Sequence, residues 1–377
     1  MAYAASQFLA GWAGNRFGPR VMLLSGMAIS IVANIGFGLS SSAEAFFVLM
    51  TLNGAAQATG WSANIGTMAA WFHRGERGTV MGLWTTNFQA GGVLANAATA
   101  FVLERSDWRT SLFAGAAVFL GVWLVVLTQQ RNSPADVGLP PVVDPAAREV
   151  PSPSGGTASG GAAGEGAAAH GAARLGWTAD VFANIALVGM FYFFVKLIRY
   201  ALWSWAPFFL ARNYGLKGDE AGYIATLFDI FGIPGVILTG WLSDRFFGSR
   251  RAGVSLLMTC VLLCSCVLLY TVGRVSVPIF AMCIAVAGFS LYGPDALLTG
   301  AGAMDLGSRR GATVAAGIIS GIGSMGPIVQ ELVIGKLYDA KGGDLGPVFL
   351  LLLGSALAAT LVMVVAVLRN RAGRSDL

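Results

Sequence analysis

The sequence predicts an all-α membrane protein built of two pseudo-symmetric helix bundles, and three observations predict it. Apolar stretches of membrane-crossing length recur along the chain, lysine and arginine collect in alternate connections, and one glycine-to-arginine signature occurs in each half. Of 377 residues, 55% are hydrophobic, 11% are charged and 51 are glycine, which excludes an ordinary water-soluble enzyme of this length. A spanning helix needs about 20 mostly apolar residues. The runs here are continuous and lack the alternation over about 10 residues that marks barrel strands.

Eleven helices follow in order, near residues 1–15, 21–41, 45–72, 79–103, 110–130, 180–211, 219–245, 252–272, 276–302, 311–337 and 345–368. Between the fifth and sixth, the chain is rich in Pro, Gly, Ala and Ser, so residues 132–178 read as a flexible linker. That linker divides an N-terminal bundle, 1–131, from a C-terminal bundle, 179–377. The net charge of +5 follows topology rather than nucleic-acid binding. Arg105, Arg109, Arg212, Lys217, Arg274, Lys336 and Lys341 fall on one side, and the larger set, from Arg16 and Arg20 through Arg77 and Arg251 to Arg374, falls on the other. The positive-inside bias makes the richer side cytoplasmic, with the linker and the C-terminus.

The repeated signature runs from Gly11 through Asn15 and Arg16 to Arg20 in the first half, and from Gly240 through Asp244 and Arg245 to Gly248 in the second, with Arg250 and Arg251 following. Such internal similarity marks duplicated transporter halves. Glycine lets helices approach, Asn or Asp binds a neighbouring helix terminus, and the arginines anchor the turn, so Asn15, Arg16, Asp244 and Arg245 are candidate gating residues. Five helices before the linker against six after it lead to the expectation that a first helix is missing ahead of Met1, through a misplaced start codon, a fragment or gene decay. Cys260, Cys264, Cys266 and Cys283 lie in apolar stretches without metal-ligand spacing and read as small core residues. No metal, cofactor or nucleotide site is expected, and no nucleophile and base stand together, so catalysis is not expected either.

Several stretches resemble the major facilitator superfamily and, within it, the organophosphate:phosphate antiporters that exchange glycerol phosphate, hexose phosphate or other sugar phosphates. They are Gly60-Trp61, Trp71 to Gly78, Trp84 to Gly92, Gly138 to Pro141, Lys196 to Tyr200, Trp205 to Pro207, Gly232 to Gly235 and Leu291 to Pro294. The resemblance implies alternating access between two six-helix bundles, with phosphate held by basic residues of the first and seventh helices of a twelve-helix protein. Arg199 falls on the seventh-helix arginine, and Asp229 on an acidic residue of an inter-helix charge pair. Three positions depart from the family pattern: Gln7 stands for lysine, Phe88 for histidine and Ser204 for aspartate.

Arg199 carries the chemistry, because a charge at mid-membrane costs about 2.5–3.5 kcal/mol even on lenient scales and requires a polar counterpart. Its guanidinium matches a phosphate with two charge-assisted hydrogen bonds. The competing reading is a structural ion pair with Asp229 or Glu331. Lys196, one turn earlier, either adds a point charge or snorkels to an interface. Tyr200, Trp203, Tyr292, Asn64, Asn87, Gln89 and Gln7 are candidate lining residues, with aromatic packing or interhelical hydrogen bonding as the alternative. Asp295 and Asp305 are expected at the cytoplasmic end of their helix, near Arg309 and Arg310. The expected partners are a small anionic substrate, inorganic phosphate and the lipid bilayer, with the chain a monomer in an inner membrane. A hexose-phosphate receptor without flux, and a proton-coupled carboxylate or drug facilitator, are the alternatives.

Overall fold

A computed structural model describes residues 1–143, 175, 177–340, 344–375 and 377, and the expected linker beyond residue 143 falls largely outside them. The first half holds α1 (Ala2–Phe17), α2 (Pro19–Leu39), α3 (Ala43–Trp71), α4 (Arg74–Trp84), α5 (Asn87–Leu103) and α6 (Trp108–Gln129). The second holds α7 (Ala179–Tyr214), α8 (Gly218–Ala225), α9 (Leu227–Arg245), α10 (Arg251–Val272), α11 (Val277–Ala296), α12 (Ala303–Ala340) and α13 (Gly346–Arg371). α4 and α5 share one passage and α8 and α9 another, while α11 runs through a π-helical turn, Leu297–Gly302, into α12. Ser308, at φ 57°, breaks α12 near its start, so eleven passages result among the described residues, as the sequence predicts. Among the described residues, eight spans are long and apolar enough to cross a membrane. α1 and the split α4–α5 passage fall short by length, and α3 by apolarity.

Local chemistry sets the helix ends. Gly18, at φ 86°, makes the turn that Pro19 converts into the first turn of α2. Ser42 caps α3, and Thr178 caps α7 by accepting from Val181 N–H. Asp107 caps α6, taking the Thr110 N–H at 2.8 Å and its hydroxyl at 2.6 Å. Those two bonds hold the Asp107 carboxyl below its ordinary value of 3.8. A short helical turn, Pro134–Val137, begins the linker, and Asn132 there accepts the backbone N–H of Arg20 at 2.8 Å.

In hydrocarbon no hydrophobic force pulls helices together, so close van der Waals contact between small residues must do it. The two halves meet along α1 against α12 and α4 against α9. A Cβ on Gly317 would stand 2.6 Å from Gly11 Cα, and one on Gly240 would collide with the Gly78 carbonyl. Both glycine pairs therefore permit backbone approach between halves that any larger residue would block. Cys266 and Cys283 are buried as expected, whereas Cys260 and Cys264 are exposed, because they occupy the outward face of α10. Of α6, only Ala116 is buried.

Candidate functional site

The face of α7 toward the first half is written in helical spacing: Tyr192, Lys196, Arg199 and Trp203 follow one another at intervals of three or four, and Tyr200 lies four after Lys196. Across from it, Tyr292 and Asp295 lie three apart on α11. Arg199 Nη1 donates to Asp295 Oδ2 at 2.8 Å, and the guanidinium carbon stands 4.6 Å from the Tyr292 ring centroid. The Tyr292 hydroxyl in turn donates to Asp229 Oδ1. The order is thus Asp295, Arg199, Tyr292, Asp229, with the tyrosine between guanidinium and second carboxylate.

This arrangement corrects two expectations. The ion-pair partner of Arg199 is neither Asp229 nor Glu331 but Asp295, which lies in the middle of the structure and not with Asp305 at the helix end. Glu331 accepts instead from Ser204 Oγ at 3.3 Å, across the seam of α7 and α12. The physical reason is the register of α11, whose Gly293-Pro294 step lies mid-passage and carries Asp295 to the level of Arg199. Nor does Lys196 snorkel. It is only 5% exposed, and its ammonium donates to Ser324 Oγ at 2.8 Å, ringed by Tyr192, Tyr3 and Tyr200 with centroids 5.0, 5.5 and 5.9 Å away.

Two adjoining cavities, of about 650 and 890 Å³, share Arg199, Tyr200, Tyr292, Phe88 and Gln89 as walls. The smaller also receives Lys196, Asp295, Asn64 and Asn87; the larger receives Trp203 and Asp229. Gln7 reaches neither: it is fully buried where α1 crosses α12, its carbonyl close to Gly317. The structure therefore gathers Lys196, Arg199, Tyr200, Tyr292, Asn87 and Gln89 about one space, holds Trp203 and Asp229 beside it, and leaves Gln7 and Glu331 outside.

A second ionic cluster joins the halves at the basic end. Arg251 is fully buried and directs its nitrogens to Asp244, to Asp305 at 3.0 Å, to Ser243 Oγ at 3.0 Å and to the Arg74 carbonyl at 2.7 Å. Arg77 donates to Asp305 at 2.8 Å and to the Phe72 and Ala69 carbonyls at 3.1 and 3.2 Å. Asp244 accepts from the Thr79 N–H at 2.6 Å, tying α9 to α4. Asp244 is thus paired with Arg251, while Arg245 is exposed. Asn15 and Arg16 stand apart from the cluster as well; Arg16 lies 5.7 Å from the Trp12 and Phe17 rings. The side chains of Arg309 and Arg310 lie outside the described residues.

Sequence reasoning placed Asp305 at the end correctly, misplaced Asp295 there, and missed Tyr3, Tyr192 and Ser324 at the centre and the roles of Arg77 and Arg251 at the end. For Asp295 a signal existed, a carboxylate flanked by apolar residues for a full turn on either side. Tyr192 was also legible, one turn before Lys196. Nothing in the sequence distinguishes Arg251 from its neighbour Arg250.

The chemistry available is anion binding beside a cavity: a planar guanidinium held by one exchangeable carboxylate, with an ammonium one turn away. Against known proteins, the Major Facilitator Superfamily model matches residues 1–294 and 188–376. The chain is 29% identical over 368 residues to the glycerol-3-phosphate transporter of Bacillus subtilis strain 168, covering 95% of this chain and 80% of that one. It is 27% identical over 355 residues to a probable hexose phosphate transport protein of Chlamydia pneumoniae, covering 90% and 75%. The solved structure of the E. coli fucose:proton symporter FucP shares the fold at 14% identity and a TM-score of 0.67, covering 99% of this chain and 88% of that one. By sequence model and by fold, the chain is a multi-pass membrane transporter that belongs to the Major Facilitator Superfamily.

Proposed function

We propose that the chain exchanges an organophosphate, a sugar phosphate or glycerol phosphate, for inorganic phosphate by alternating access. The observation that carries this reading is the pair of α7 cations at the central cavity, with Arg199 anchored by a single carboxylate. The relatives named for glycerol 3-phosphate and hexose phosphate support the same substrate class. A phosphate entering the cavity takes over donors of Arg199 and the ammonium of Lys196, and the water-poor surroundings strengthen those charge-assisted bonds relative to bulk solvent. Tyr200 and Tyr292 flank the bound ester, with Asn87 and Gln89 facing it from the other half. Gln7, fully buried outside both cavities, has no part in this reading.

Alternation uses the basic-end cluster. With Arg77, Arg251, Asp244 and Asp305 joined across the halves, and Gly78 against Gly240, that end is shut; release on that side requires those bonds to part. The chain is read as a monomer in an inner membrane, and the bias of basic residues supports placing this end, the linker and the C-terminus in the cytoplasm.

Reconstituted protein is expected to exchange labelled inorganic phosphate for glycerol 3-phosphate or glucose 6-phosphate, and Arg199→Lys to abolish most of the exchange, because an ammonium cannot reproduce the planar fork. Ligand binding without flux would point to a receptor instead. Flux that follows the proton gradient and ignores phosphate would point to a proton-coupled facilitator.

A further inference from the structure

The same cavity that offers two cations also offers groups suited to a cation. Asp295 has a side chain only 6% exposed, and among the described residues its ion-pair contact is with Arg199. Once a phosphate occupies Arg199, that carboxylate is left facing an anion in a medium that screens poorly. Opposite, Trp61, Trp84 and Phe88 line the cavity as one continuous aromatic wall, with ring centroids 5.6, 5.9 and 6.1 Å apart. The wall is tied to the carboxylate's own helix: Trp61 Nε1 donates to the Thr299 carbonyl at 3.3 Å, and Thr299 Oγ1 donates to the Asp295 carbonyl at 2.7 Å. Indole and phenyl faces attract ammonium groups, most of all quaternary ones.

We propose that the cargo is a zwitterionic organophosphate, its phosphate on Arg199 and Lys196 and its ammonium between Asp295 and the faces of Trp61, Trp84 and Phe88. The inference rests on the organophosphate reading above and deepens it. Binding becomes an exchange of partners: the guanidinium leaves Asp295 for the phosphate, the ammonium takes its place, and no buried charge is stranded. A phosphate ester without the ammonium leaves Asp295 uncompensated and binds more weakly.

The experiment uses the full chain in proteoliposomes loaded with labelled inorganic phosphate. Phosphocholine is presented outside against 3,3-dimethylbutyl phosphate, its uncharged-headgroup isostere, with tryptophan fluorescence reporting binding independently of flux. Phosphocholine is expected to act at a concentration at least about tenfold lower, a typical margin for a desolvated cation over aromatic faces. The ratio between the two esters should fall toward unity in Asp295→Asn and narrow in Phe88→Leu, whose half-exposed ring leaves folding least affected. Equal response to both esters in the unaltered protein overturns the zwitterion while leaving organophosphate exchange standing. So does a preference that vanishes when uptake of the dimethylbutyl ester is accompanied by a proton, which would then be what neutralises Asp295. If neither ester nor glycerol 3-phosphate binds or drives phosphate out, the organophosphate reading falls and this inference with it.

Discussion

The two ionic clusters, one at the cavity and one at the basic end, use the same guanidinium and carboxylate groups to opposite effect. At the end, Arg251 is wholly enclosed and bonded to two carboxylates, a hydroxyl and a carbonyl, and Arg77 adds two further carbonyls. At the centre, Arg199 has one carboxylate, a ring beneath it and cavities beside it, and Lys196 has one hydroxyl. A guanidinium has five N–H donors, and what distinguishes the two sites is whether fixed partners have claimed them. Saturated, the ion is a clasp between helices; unsaturated beside an opening, it awaits a mobile ligand.

The sharpest way to break this comparison is Arg251→Ala. Removing one partner of a buried ion network strands the carboxylates and is expected to cost about 3–5 kcal/mol, read as a lower thermal unfolding midpoint in detergent. An unchanged midpoint would show that the end cluster is no clasp. Next comes Arg199→Ala, expected to cut phosphate exchange by about thirtyfold or more, since truncating a charge partner typically costs at least about 2 kcal/mol. Adding Asp295→Ala should restore part of the stability, with a coupling of about 0.5–3 kcal/mol, and none of the exchange. Lys196→Gln is expected to weaken inorganic phosphate by about tenfold, the scale of one charge-assisted bond, in competition assays. Its melting point should move less than that of Arg251→Ala, because only Ser324 loses a bonded ion.

The smallest effect calibrates the others. Asp107 is a carboxylate outside both clusters, exposed at the start of α6, whose proton affinity the Thr110 bonds depress. A depressed folded-state value stabilises the protein above about 3.8, and that contribution fades as the pH falls further. Asp107→Ala should therefore lower the melting point slightly at neutral pH and converge with the parent chain in acid.

Much of the fold was legible because hydrocarbon leaves a chain few options: every backbone group must be bonded within its own helix, so apolar length marks most of the passages. Arg199 was legible for the same reason, a charge where charge is costly. Its partner was not. Whether Asp295, Asp229 or Glu331 faces Arg199 depends on rotations set by close contacts such as Gly288 against Phe228 and Gly235 against Phe289, which no local pattern records. Likewise Arg250 and Arg251 are equivalent as letters, and only the direction in which α10 departs buries the second. Asp295 was the avoidable misplacement, since the penalty argument that singled out Arg199 applies to it equally.

The formal charges lining the two cavities are Lys196, Arg199, Asp229 and Asp295, which sum to zero. An elementary charge carried across 100 mV exchanges about 2.3 kcal/mol with the field, so a carrier with unbalanced fixed charges would reorient more easily in one direction than in the other. The cavity charges of this one contribute no such bias when unloaded. Within the cavities membrane voltage then acts on the cargo, and a swap of two equally charged passengers there is electrically silent.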